Sequence, residues 1–317
     1  MKKTSSVYGS IKNKIFESSS LPENSIKLSY SQYTVFKGCP YRWHLTYQKK
    51  MYPFSASIDT VFGTALHETL QEYLTLLFNS GIKASNSLDF NEFLLASLKK
   101  AYKDEIEKNE GKHFTTKDLL GSYYDDGILI LNWIRKNRVK LFDVKNTDLV
   151  GTEIPILLPI QDRIWFTGFV DVILYDKIEK KYTIIDIKTS KEGWKDYAKK
   201  DELKISQLLL YKRFFSKQFE VSEDDIDVKF MICKRKVWED SPYPIPRVQH
   251  FIPANGTAKV NKAISDFQEF INECYGPSSL VEGKTFNKTP GKNFNNCRFC
   301  PFSGSEFCDQ KEEIAII

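Results

Sequence analysis

A few charged and polar residues in this sequence are spaced as phosphodiester chemistry would need them. Asp186 and Lys188, in Ile184-Ile185-Asp186-Ile187-Lys188-Thr189, interrupt an otherwise apolar run. Residues two apart on a strand share a face, so this carboxylate and ammonium project together. Asp171 lies in Gly168-Phe169-Val170-Asp171-Val172-Ile173, and a hairpin between the two runs brings it onto the neighbouring strand. Two carboxylates are hard oxygen ligands suited to Mg2+ or Mn2+. A lysine beside them can orient an attacking water or offset charge on a phosphorus-bound oxygen. Gln207 and Tyr211 stand at i and i+4 on the helix expected next, so both can face the strand ends. His67, four residues after Gly63, lies beside the apolar face of an earlier amphipathic helix. Taken singly, each has an ordinary reading: a same-face ion pair, a helix edge, a hydrogen-bonded histidine at the core edge. Glu153, ahead of the sheet's second run, either sits near the site or faces solvent.

A second constellation is sulfur. Cys297-x2-Cys300-x7-Cys308 places three thiols close together, and three need a fourth ligand. Cys233 falls in an apolar strand and Cys274 in a helix, where free cysteines are commonly buried. Cys39, in Gly38-Cys39-Pro40-Tyr41-Arg42 at an expected helix break, is the best fourth candidate. Spacing alone leaves zinc, an iron–sulfur cluster and a redox pair open.

The elements that must position these groups can be read from periodicity. Leu66, Leu70, Tyr73, Leu74 and Leu77 form one stripe of a helix over residues 63–78. Residues 85–145 read as a helical subdomain, with Phe90, Phe93, Leu94 and Leu98 in one helix and Ile128, Leu131, Ile134 and Val139 in another. A sheet begins after Leu149, where Ile154, Ile156 and Leu158 alternate with other residues. Runs 164–174 and 182–187 follow, joined as a hairpin by the polar turn 176–181. A helix over 203–215, strands 228–233 and 248–252 and a helix over 263–275 complete the pattern. Residues 1–27 read as an N-terminal arm, and the stretch from 284, poor in apolar residues, needs something other than a core to order it.

The 317 residues are 41% hydrophobic and 27% charged, which excludes wholesale disorder and low-complexity polymers. Lys and Arg number 46 against 41 Asp and Glu, a net +5 that permits a polyanionic partner without demanding one. Lys284, Lys288, Lys292 and Arg298, or Lys234-Arg235-Lys236 with Trp238 nearby, could track phosphates; the commoner fate of such runs is a solvated surface. No apolar run approaches the roughly 20 residues of a membrane span, and no secretory signal opens the sequence. The expectation is a cytoplasmic protein of a bacterial or phage-infected cell. Without Gly-x4-Gly-Lys-Ser/Thr the chain carries no evident ATP motor, so any helicase is a partner.

Taken together, Gly63-x3-His67, Asp171, Asp186-x-Lys188 and Gln207-x3-Tyr211, in that order, resemble the RecB-like branch of the PD-(D/E)XK nuclease superfamily over roughly residues 28–310. Val170 stands where the superfamily's name has Pro, a position that is loose in this branch. The resemblance implies an α/β restriction-endonuclease-like core, a mixed central sheet flanked by helices. The 85–145 helices and a 284–310 tail belong to it, and a short tail over 311–317 follows. It implies that His67, Asp171 and Asp186 bind the divalent metal, Lys188 assists hydrolysis, and Gln207 and Tyr211 support the site and contact DNA. The cysteine layout is similar to that of CRISPR-associated RecB-like exonucleases and the AddB nuclease domain. That likeness implies a [4Fe-4S] cluster on Cys39, Cys297, Cys300 and Cys308, a staple closing a loop of nearly the whole chain. The function so implied is a Mg2+- or Mn2+-dependent deoxyribonuclease, most simply an exonuclease on single-stranded DNA or DNA ends in recombination, repair or replication. Its competitors are a non-catalytic DNA-end-binding scaffold that retains the fold and a zinc-binding interaction module.

Overall fold

A computed structural model describes residues 21–54, 56–238, 240–276, 281, 283–292 and 295–309. Most of the expected arm and all of the 311–317 tail lie outside these residues. In chain order the elements are β1 (Ile26–Leu28), α1 (Tyr30–Gly38), α2 (Pro40–Trp43), α3 (Ile58–Asn79), α4 (Gly81–Ser87), α5 (Phe90–Lys108) and α6 (Lys117–Phe142). Then come β2 (Thr147–Gln161), β3 (Ile164–Asp176), β4 (Lys181–Ser190), α7 (Asp196–Lys199), α8 (Glu202–Phe219), β5 (Ile226–Lys234), β6 (Val248–Phe251) and α9 (Thr257–Cys274). The fold is mixed α/β. Among the described residues no helix is long and apolar enough to cross a membrane.

The chain divides into two compact units. The first comprises Ala56–Ile156 and Phe169–Val260. Its sheet is mixed: β3 runs antiparallel to β4, β4 parallel to β5, and β5 antiparallel to β6, with β2 beside β3. Helices α3, α5 and α6 pack on one face, where Leu66, Leu70, Leu94, Ile130 and Leu131 bury against Val172, Ile185, Ile187 and Met231. Strand alternation leaves Tyr182, Ile184, Asp186 and Lys188 on the other face. There α8 lies with its Phe215 ring 5.7 Å from that of Tyr182.

Local chemistry starts these helices where the sequence allows. Ser57, in extended backbone, caps α3 by accepting the Thr60 N–H, and Asp201 caps α8 by accepting those of Leu203 and Lys204. In mid-α6, Gly127 lets the helix pass its neighbours closely, since a Cβ there would lie 2.6 Å from Leu94 Cδ2. One expected position is corrected: Val139 is 66% exposed, not on the buried stripe. Five residues past Ile134 is about 140° around a 3.6-residue helix, and Phe142 takes the inward place instead.

The second unit comprises the described residues of 20–55, Leu157–Gly168 and the described residues of 261–317. Here β1 pairs in parallel with the start of β3, Ile26 opposite Ile164 and Leu28 opposite Phe166. The α1–α2 break falls at Cys39, as the Gly-Cys-Pro sequence suggests, with Pro40 opening α2 where a missing N–H costs nothing. Its core is aromatic: Phe36 lies 5.1 Å from Phe270 and 6.0 Å from Trp43, and Tyr33 lies 5.5 Å from Phe267.

Candidate active site

All the candidate carboxylate, lysine, histidine, glutamine and tyrosine residues fall in the first unit. The recorded β3–β4 pairing runs from Asp176↔Lys181 to Val172↔Ile185. One step further, the Asp171 carboxylate takes over, its Oδ2 accepting the Ile187 N–H at 2.6 Å. Thus Asp171 is held beside Asp186, and its Oδ2 also lies 3.7 Å from His67 Nδ1. Asp186 is 3% exposed. Its Oδ2 sits 2.8 Å from Lys188 Nζ in an ion pair, yet this buried oxygen has no directed hydrogen bond.

Electrostatics of the pocket follow from this burial. Desolvation pushes the Asp186 carboxyl up to about 6, against the favourable Lys188 charge, with Asp171 raising it further. The Asp171 carboxyl is likewise pushed up to about 6 by burial, partly offset by the Ile187 N–H and by Lys188. Burial draws His67 below the ordinary imidazole range, keeping it neutral at pH 7 despite the nearby Asp186 charge. Two desolvated carboxylates, one already drawing in the Lys188 ammonium, and a neutral imidazole are the donor set that a hard divalent cation relieves. Even so, among the described residues no three His, Cys, Asp or Glu side chains are gathered tightly enough to enclose an ion.

The α8 pair meets the strands as its spacing suggests. Lys188 Nζ donates to Gln207 Oε1 at 3.0 Å. Gln207 also hydrogen-bonds Tyr211, and since its oxygen serves Lys188, its amide N–H2 is the group free to donate. Burial raises the Tyr211 phenol, keeping it protonated. The sequence reading missed Gln71, one turn after His67 on α3. Its Nε2 donates to Glu153 Oε1 at 2.6 Å and to the Asp171 carbonyl at 3.3 Å. The i, i+4 spacing from His67 is the signal that could have found it. At Gly63 a Cβ would meet Thr189 Oγ1 at an ordinary 3.7 Å, so no close approach requires glycine there.

The four candidate cysteines all fall in the second unit and line one pocket, together with Arg42 and Lys288. Cys39 accepts the Thr289 N–H at 3.4 Å. Successive tight turns bring round the other three, with Cys300 N–H donating to the Cys297 carbonyl and Cys308 N–H to that of Ser305. Burial, then the nearby sulfurs of Cys300, Cys308 and Cys39, push the Cys297 thiol up. Cys233 and Cys274 are buried, as expected for free core thiols.

Much of the basic sequence is engaged within the fold. Arg235 and Lys236 pair with the buried Asp126 at 3.2 and 2.8 Å, and the Arg235 guanidinium lies 3.7 Å over the Tyr123 ring. Lys284 pairs with Glu273 and Lys288 with Asp309. Arg298 sits over the Phe299 ring at 5.5 Å.

Comparison with known proteins gives three findings. The model of a family described as the PD-(D/E)XK nuclease superfamily matches residues 27–308. A search of curated proteins gives no match. Among solved structures, one titled "Crystal structure of SSO0001" is 14% identical, covering 93% of this chain and 92% of that chain, with a TM-score of 0.35.

Proposed function

The chain belongs to the PD-(D/E)XK nuclease superfamily, and on that premise we propose that it is a metal-dependent deoxyribonuclease of the RecB-like branch, acting as an exonuclease on single-stranded DNA or DNA ends. One observation carries the reading: a lysine held between a buried carboxylate at 2.8 Å and a helix glutamine at 3.0 Å, beside a second carboxylate on the next strand. His67, Asp171 and Asp186 would hold Mg2+ or Mn2+, which when bound supplies Lewis-acid polarisation of the phosphate and an acidified water. Lys188 places its ammonium where negative charge develops on the phosphoryl oxygens. Gln207 fixes the direction of that ammonium, and Tyr211 fixes Gln207. The neutral His67 offers a lone pair rather than a competing positive charge. Phe169, two residues before Asp171 on the same strand face and 56% exposed, gives an unstacked base a ring to lie on, which favours single strands.

The proposal extends to the cysteines. Cys39, Cys297, Cys300 and Cys308 are four thiols on one pocket, one of them already receiving a backbone N–H, and this set suits a [4Fe-4S] cluster. Bound there, the cluster would be a staple for segments with little apolar content. In this reading residues 28–310 form one nuclease domain that includes the 85–145 helices and the 284–310 tail. The protein serves recombination, repair or replication inside the cell, alongside a helicase or recombination partner. The test is digestion of end-labelled linear single-stranded DNA with Mg2+ or Mn2+, comparing wild type with Asp186→Ala. Degradation by wild type alone is expected, and the product ladder gives polarity. DNA binding by both without degradation would favour the DNA-end-binding scaffold instead.

A further inference from the structure

Among the described residues, eight non-glycine residues have positive φ, and seven of them lie in turns or next to helix ends. Glu153, at φ 48°, is the one inside a strand. Left-handed backbone at one residue departs from regular strand pleating, and such outliers cluster at functional sites. Glycine would hold this left-handed backbone without strain, so a glutamate at this position draws attention to its carboxylate.

That carboxylate is gripped although Glu153 is exposed. Gln71, 8% exposed, donates through one nitrogen to Glu153 Oε1 at 2.6 Å and to the Asp171 carbonyl at 3.3 Å. The amide thereby ties Glu153 of β2 to the residue of β3 that carries a candidate ligand. The Glu153 charge is felt at Asp171, His67 and Tyr211 alike, so it faces their cluster.

We propose that Gln71 is a positioning residue that holds Glu153 as a third negative charge of the cation site, strengthening its hold on a divalent ion. The inference rests on the nuclease reading above, in which Asp171 and Asp186 hold that ion. A lever of this kind typically moves metal affinity by about 10–100-fold.

The test uses the full chain, Mn2+ titration calorimetry without DNA, and thermal melting. Glu153→Gly keeps the left-handed backbone and removes the charge, so Tm is expected to rise while Mn2+ affinity falls about tenfold. Gln71→Leu keeps the charge and releases it, so affinity is expected to fall severalfold. Because Gln71 acts through Glu153, the double variant should bind no more weakly than Glu153→Gly alone. Wild-type Mn2+ affinity in Glu153→Gly, or single effects that multiply in the double variant, would overturn the proposal. Failure of the nuclease reading shows separately, as a wild type that binds Mn2+ and leaves DNA uncut.

Discussion

Replacing Asp186 by Asn should make the metal-free protein more stable at neutral pH while abolishing its activity. The Asp186 carboxyl is 3% exposed and is pushed from its ordinary 3.8 up to about 6, chiefly by burial. A folded-state value raised above the unfolded one means the native state holds its proton to higher pH. The stability this gives is full below about pH 4 and is lost as pH rises through about 6. At about 1.36 kcal/mol per pH unit, ionising this one group costs the fold about 3 kcal/mol by pH 7.5. Asparagine has nearly the same shape and never ionises, so Asp186→Asn recovers most of that cost. For a protein of this size the gain corresponds to a rise in Tm of roughly 4–5 °C. The assay is thermal melting of wild type and Asp186→Asn in chelator at pH 4.5 and 7.5. The two should differ at the lower pH by only about a third of their separation at the higher one, with the mutant above. Added Mn2+ should raise only the wild type. A mutant that melts below wild type in chelator at pH 7.5 would refute the reasoning, because it would mean that the charged carboxylate stabilises the empty site.

Three further outcomes follow from the same geometry. Lys188→Met should lower DNA cleavage at least about 100-fold while leaving Mn2+ binding and the far-UV spectrum unchanged; wild-type cleavage would remove Lys188 from the chemistry. Asp126→Ala leaves Arg235 with only Asp59 at 3.6 Å and the Tyr123 ring, and should cost about 3 kcal/mol, read as a lower urea midpoint at unchanged m; an unmoved midpoint would show the buried pair to be idle. Cys39→Ala should yield colourless protein with a lower Tm, and a mutant that keeps full iron content would exclude Cys39 as a ligand.

Periodicity made the scaffold legible wherever one face is buried. The stripe from Leu66 to Leu77 is buried as expected in α3, and the turn over 176–181 joins β3 to β4. The helix expected over 203–215 is α8, four residues longer at its C-terminal end, because local capping and not the apolar pattern decides where helices stop. At the site, strand alternation and i, i+4 spacing were enough to bring Asp186, Lys188 and Gln207 into contact on paper. Gln71 escaped, and Glu153 stayed open between the site and solvent, because a left-handed glutamate inside a strand leaves no composition signal. The basic runs misled for a related reason: Arg235 and Lys236 look free in sequence, whereas their partner Asp126 lies 109 and 110 positions away. Charge pairing over such separations is invisible to any short window.

The second unit draws on three separate stretches of sequence, and the last begins at Asn261. On the ribosome, every part of the first unit has therefore been made before the second can close. For the several seconds in which residues 261–317 are added, Tyr33, Phe36 and Trp43 lack the rings of Phe267 and Phe270 that cover them in the finished protein. Cys39 likewise waits for Cys297, Cys300 and Cys308. The early segment thus emerges sticky and with a lone thiol, so chaperone protection and the timing of synthesis matter most for the one part of the chain translated far ahead of its partners.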